Sequence, residues 1–208
     1  MEGDHGAQTP GEWSGLQAIA TLTELNTRCF AMLAKTARGE AVAVDCSLYR
    51  DLDLWRRVDQ RSCERAGRCP VLLLNLNFEN HAWWKRVCRE PFPACRQLGR
   101  ATLVQEDQAR ALLRDILMSI WRLGDALPTA ANLLFGLAPG VSEEISNVSA
   151  SDLERMAVDH AGDLRPRWEE NRVFWTNLLE AAIGVDDEAL FNVSLHCWQL
   201  LGRDFELR

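Results

Sequence analysis

The chain has 208 residues, 47% hydrophobic and 25% charged, enough to bury one respectable core or two small ones and too hydrophobic for a disordered chain. A net charge of −7 disfavours binding nucleic acid alone, because phosphate affinity rests on Lys and Arg that displace counterions. An acidic chain can still act inside a complex whose partner brings the positive charge. No apolar run, Val71 to Leu74 included, approaches the roughly 20 residues a transmembrane helix needs. The opening "MEGDHGAQTPGEW" is acidic and polar where a signal peptide would be basic and then apolar, so the expected address is the cytoplasm, with no membrane role.

The first dozen residues, 1–12, hold three Gly and a Pro and read as a tail, with order expected from about Trp13. Apolar residues spaced by three and four between Leu16 and Ala37 predict an amphipathic helix or a pair of them. Thr21 and Glu24 form a capping box that would start a helix near Thr21, and Gly39 would end the segment. Val42 and Val44 alternate as in a strand that leads into a helix carrying Leu48, Leu52 and Trp55. An Arg-rich turn is expected at 61–68, then a strand with Leu72, Leu74, Leu76 and Phe78 on one side. "NHAWWKRVCRE" follows as one or two helical turns closed by Pro91 and Pro93.

The second half is more plainly helical. Ala109 through Leu123 make a wide apolar face up to Gly124, and Pro128 breaks that run or opens the short helix "TAANLLFGL", which stops at "APG". Ser142, with Glu143 and Glu144 behind it, reads as a helix N-cap. Ser149 or Ser151 starts the next helix, which Gly162 ends. "LRPRW" is extended because Pro166 bars a regular helix through Arg165. Two amphipathic helices, Asn171 to Ile183 and Glu188 to Leu201, finish the chain. The fold class is mainly α, with a few short strands.

Two stretches share a layout. "LNLNFENHAWWKRV" at 74–87 and "LRPRWEENRVFWTNLL" at 164–179 each run from alternation through an aromatic, an acid and a polar patch to paired aromatics. "TLTEL" at 21–25 likewise matches "SASDL" at 149–153, each beginning a helix that precedes one of these stretches. The spacings between helix and stretch differ, so this alignment demands an insertion around 39–69 in the first copy.

The segment "NLLFGLAPGVSEEISNVSASDLERMAVDHAGDLRPRWEE", 132–170, resembles the core of the FlhD subunit of the bacterial flagellar master regulator. The resemblance lies in an aromatic turn ending F-x-L, then a capped helix with Val141, Ile145 and Val148. A hydroxyl-capped helix with Leu153, Met156 and Ala157 follows, and then Arg167, Trp168 and Glu169. It covers residues 109–178 and consists of patterns, with no invariant chemical signature. FlhD proteins are small, helical and self-associating, and act with an FlhC partner that carries much of the DNA contact and a zinc site. The resemblance therefore implies a non-enzymatic transcription-regulator subunit that binds an FlhC-like partner or itself and reaches promoter DNA only through the complex. This chain is nearly twice as long as the family, which suggests a tail at 1–12, a divergent module at 13–100 and an FlhD-like module at 101–208, two modules in tandem that imitate a dimer.

The residues nominate no chemistry. There is no G-x-S-x-G elbow, Walker loop, dinucleotide glycine turn or H-E-x-x-H, so no catalytic residue, cofactor or small-molecule substrate is expected. The acid pairs Glu143/Glu144, Glu169/Glu170 and Asp186/Asp187 stand at predicted helix starts and turns, where solvated caps belong. Cys29, Cys46, Cys63, Cys69, Cys88, Cys95 and Cys197 lack the CxxC pairs of a structural zinc site, and His5, His81, His160 and His196 form no ligand pair, so no metal is expected. Reduced thiols are the plain reading of the cysteines, and a redox or disulfide role is the other. Eight tryptophans are the informative excess. Trp83, Trp84, Trp168, Phe174 and Trp175 are the candidate partner anchors, with ordinary core as the competing reading. Lys85, Arg86, Arg89, Arg165 and Arg167 are the candidate nucleic-acid contacts, against surface ion pairs. A helical adaptor or chaperone of a secretion or conjugation system, binding protein only, is the other functional class.

Overall fold

The computed structural model describes residues 15–39, 47–89 and 106–206. The expected tail at 1–12, the start of order at Trp13, the strand around 42–44, the stop at Pro91 and Pro93, and the boundary at 100/101 all lie outside the described residues. The first described half runs α1 (Gly15–Arg38), a 3-10 turn (Ser47–Tyr49), α2 (Leu52–Arg57), α3 (Gln60–Gly67), β1 (Leu74–Asn75) and α4 (His81–Arg89). The second runs α5 (Glu106–Ala126), α6 (Pro128–Phe135), α7 (Val141–Ser146), α8 (Ala150–His160), β2 (Arg165–Pro166), α9 (Arg172–Ile183) and α10 (Asp187–Glu206). The fold is mainly α with one two-stranded sheet among the described residues, as expected.

The halves repeat with an offset of 91 residues. β1 and β2 pair antiparallel with Leu74 opposite Pro166 and Asn75 opposite Arg165, so positions 74 and 75 face the counterparts of 75 and 74, as a local two-fold axis requires. Asn77 and Trp168, also 91 apart, are the non-glycine residues with positive φ (49° and 53°) among the described residues. Three residues on, Asn80 and Asn171 each accept from the N–H of the residue three ahead, Trp83 and Phe174, and so start α4 and α9. On α1 the buried residues Ala18, Leu22, Leu25, Asn26, Cys29 and Met32 correspond at the same offset to Ala109, Leu113, Ile116, Leu117, Ile120 and Leu123 of α5, all buried.

The arms cross over. α1 packs on α2 and α3, and α5 on α7 and α8, within their own halves, and α1 and α5 touch each other. After its strand, however, each chain passes to the opposite half: α9 packs on α2 and α3, and α4 packs on α7. Side chains from both sides of residue 100 accordingly form one core cluster.

Several local readings need correction. α1 is continuous from Gly15, so Thr21 lies inside a helix and caps nothing. The Arg-rich stretch expected as a turn is α3, started by Asp59, whose carboxylate accepts from the Ser62 N–H at 2.7 Å. Only Leu74–Asn75 of the expected 72–78 strand is ladder-paired; Leu72, Leu73, Leu74 and Leu76 are all buried, on both faces. α7 begins two residues earlier than a Ser142 cap would put it, with Gly140 (φ 86°) at its N-cap and Ser142 buried. For α8 the cap is Ser149, which accepts from the Asp152 N–H. The repeat itself pairs α1 with α5, whereas the match of "TLTEL" to "SASDL" pairs α1 with α8. No insertion at 39–69 is needed at the 91-residue offset.

Candidate partner-binding site

Arg167, expected at a phosphate, is inside the protein at 3% exposure. Its N–H donates to the Leu73 carbonyl at 2.7 Å, its Nε to the Leu72 carbonyl at 3.0 Å and its Nη2 to the Phe135 carbonyl at 2.8 Å. The Arg167 carbonyl accepts from Trp175 Nε1 at 3.1 Å. The guanidinium thus ties β2 to the extended segment before β1 and to the end of α6 by satisfying two buried backbone carbonyls, those of Leu72 and Phe135. Gly136 makes this possible: its φ is 60°, and a Cβ there would stand 2.5 Å from Arg167 Nη1.

Of the other basic candidates, Arg165 is half-buried and donates to the Gly162 carbonyl, and Arg89 pairs with Glu144 at 3.5 Å, a carboxylate that His81 also approaches at 3.7 Å. Lys85 and Arg86 are exposed on α4. The structure therefore does not gather the five into one basic surface.

The aromatic candidates divide in the same way. Trp84 and Phe174 are completely buried and Trp175 is 1% exposed, so these three are core and unable to anchor a partner on the surface as folded. Trp84 stacks on Phe78 with rings 4° from parallel, and Trp175 lies 6.2 Å from Trp55 across the α9–α2 contact. Half-buried Trp83 packs edge-on against Trp84 and His160, and half-buried Trp168 against Phe174. Trp168 Nε1 donates to Asp204 at 2.9 Å, which fixes the far end of α10 beside the second aromatic stretch. These rings close the two crossed arms.

An exposed apolar row lies elsewhere. α10 buries Val193, Cys197, Leu200 and Leu201, yet on its outer side Phe191, Leu195 and Trp198 are 61%, 45% and 40% exposed. Their spacing of four and three puts them in one row, which Gly202 continues. Nothing lies within 4 Å of where a Gly202 Cβ would be, so the row ends in a notch. Beside the notch is an open hollow of about 450 Å³ lined by His196, Gln199, Leu200, Gly202, Arg203 and Glu206. Exposed Glu188 and Arg203 stand near the two ends of the row. Three large apolar side chains in register on one helix form a patch of the kind that marks an interaction surface, where scattered exposed residues would mean nothing. The sequence signal was present, since α10 is apolar on more than one side, but a helix read simply as amphipathic hides its second stripe.

No cluster of three or more His, Cys, Asp or Glu suited to a metal exists among the described residues, and no described helix is long and apolar enough to cross a membrane. The displaced acid titrations are structural. Hydrogen bonds from Arg172 and then Thr176 hold the Asp51 carboxyl below its usual range, and backbone and hydroxyl hydrogen bonds from Ser62 do the same for Asp59 at the start of α3. Burial pushes the Cys88 thiol up to about 12, helped by the nearby Glu144 carboxylate. No protein-family model, curated protein or solved structure matches the chain.

Proposed function

We propose that this chain is a non-catalytic subunit that binds a protein partner along the outer face of α10 and reaches promoter DNA only through that partner. The observation that carries the reading is the row Phe191, Leu195, Trp198 and Gly202 with its adjoining hollow. Aromatic anchors bordering a notch are where interface energy concentrates. The partner that fits is an amphipathic helix lying antiparallel to α10, with a basic residue near Glu188, an acidic one near Arg203 and a large apolar side chain over Gly202. The promoter half of the reading is supported by the FlhD resemblance, and its indirectness by charge. Of the five candidate contacts Arg167 is committed inside, Arg165 donates to Gly162 and Arg89 is paired, and the net charge of −7 disfavours the chain holding a duplex alone.

The test uses the wild-type chain and the double variant Phe191→Asp/Trp198→Asp as baits, followed by reconstitution from the purified partner and a gel shift with each. The expected result is a stoichiometric partner that the double variant does not hold, and a salt-sensitive DNA shift only when chain and partner are combined. A partner that binds both baits equally would refute the α10 site. A complex that forms but shifts no DNA at low salt would replace the promoter reading with a protein-only adaptor, and self-association through the same face would appear as a doubled mass lost in the double variant.

A further inference from the structure

Cys69 and Cys197 bring their sulfurs to 2.9 Å across a sequence separation of 128 residues. A disulfide needs about 2.05 Å, so less than roughly 1 Å of approach separates the pair from a covalent bond. Cys69 sits just past α3, where the buried Asn26 side chain holds the backbone: its Nδ2 donates to the carbonyls of Cys69 and Val71, and its Oδ1 accepts from the Leu73 N–H. Cys197 is mid-way along α10 and fully buried. One sulfur is thus carried by a clamped segment and the other by the helix that presents the apolar row.

We infer that Cys69 and Cys197 form a redox-labile staple: a small-molecule disulfide oxidises the pair to a disulfide that locks α10 onto the body of the protein. In the first step one thiolate attacks the small disulfide, giving a mixed disulfide and releasing one small thiol. In the second the other protein thiol, losing its proton to the departing thiolate, attacks the protein-bound sulfur and releases the second small thiol. Two protein thiols are oxidised and one small disulfide is reduced to two thiols. The contact to Cys69 and burial both push the Cys197 thiol up, so the thiolate needed for attack forms when α10 lifts or before it docks during folding. Oxidation then traps the docked helix, and reduction frees it. Cys29 is the competing thiol, because it is buried near Cys69 and Cys63. The inference stands independently of the partner reading, since it concerns how α10 is held and uses none of its outer face.

The experiment treats the reduced chain with oxidised glutathione in two arms, once folded and once while refolding from urea in a mixture of oxidised and reduced glutathione. Intact mass and a non-reducing peptide map are read for wild type, Cys69→Ser, Cys197→Ser and Cys29→Ser. The expected result is the loss of two hydrogens, with one cross-linked peptide joining Cys69 to Cys197, in wild type and Cys29→Ser and in neither of the other two. The wild-type map identifies the bridge even where a serine variant fails to fold. The oxidised chain should also unfold at a urea concentration higher by roughly 1–2 M, as closing a loop of this length and ordinary denaturant slopes imply. Thiols that stay alkylatable after refolding, glutathione retained on either cysteine, or a bridge to Cys29 would overturn the inference. A bridge that leaves the urea midpoint unchanged would overturn the locking role.

Discussion

Arg167 makes the case at the scale of one side chain. A guanidinium beside a tryptophan reads as a surface group for phosphate or partner, and nothing in the local sequence says that it will meet the carbonyls of Leu72 and Phe135, 95 and 32 residues away. Replacing it should therefore harm folding before it harms binding. Arg167→Met should destabilise the chain by about 2–4 kcal/mol in urea unfolding, since it strands two buried carbonyls. A loss below about 0.5 kcal/mol would mean the bonds contribute little. Asp51 offers a second test. Its two side-chain partners, Arg172 and Thr176, join the segment before α2 to α9, with Oδ1 2.8 Å from Arg172 Nη2 and Oδ2 2.6 Å from Thr176 Oγ1. A carboxyl whose folded pKa is lowered stabilises the fold above its unfolded pKa of about 3.9 and loses that contribution as pH falls through the lower, folded value. Wild type should thus lose Tm below about pH 4 more steeply than Asp51→Asn. Parallel profiles for the two would contradict the assignment. Such pairings join distant residues, so single-sequence reasoning has no access to them.

Among the elements, legibility followed the apolar pattern. α5, α9 and α10 declare themselves because their apolar residues recur at helical spacing, Asn171 starts α9 where the spacing puts it, and of the two serines open for α8 the cap is Ser149. α3 does not: "QRSCERAG" has few apolar residues, and its helix depends on the Asp59 cap and on packing against α1 and α9. The 72–78 segment keeps its alternation, with Leu72, Leu74, Leu76 and Phe78 buried, but Leu73 is buried as well and only Leu74–Asn75 is ladder-paired. On α10 the difference between the two faces yields a direct prediction. Phe191→Asp/Trp198→Asp should cost no more than about 1 kcal/mol of stability, while Leu200→Asp, at a position 8% exposed, should cost several, measured by the same urea titration. Equal costs would show that the row Phe191, Leu195 and Trp198 is already covered.

Across the whole molecule, the two-fold relation was half visible. The aromatic stretches at 74–87 and 164–179 were aligned to within a residue of the true 91-residue offset, because Asn80 with Asn171 and Trp84 with Trp175 are identical. The helices before them were misaligned, since α1 and α5 keep only their burial pattern and short hydroxyl-acid strings recur at any helix start. What no periodicity conveys is the crossing of the arms. Because α9 rests on α2 and α3, a chain of residues 101–208 should lack the surface on which Trp175 meets Trp55. Circular dichroism and size exclusion of that half should show an unfolded or aggregated species, and the intact chain should unfold in one transition at any probe. A soluble, cooperatively folded half would mean that the halves are independent modules. The body closed by its own arms leaves the row Phe191, Leu195 and Trp198 on α10 exposed, and the proposed function rests on that row. The most direct measurement of that claim is the affinity of the purified partner for wild type and for Phe191→Asp/Trp198→Asp, at equal and verified folding. Two hot-spot aromatics replaced by carboxylates should weaken binding by at least about 100-fold, and affinities within about three-fold of each other would contradict the account.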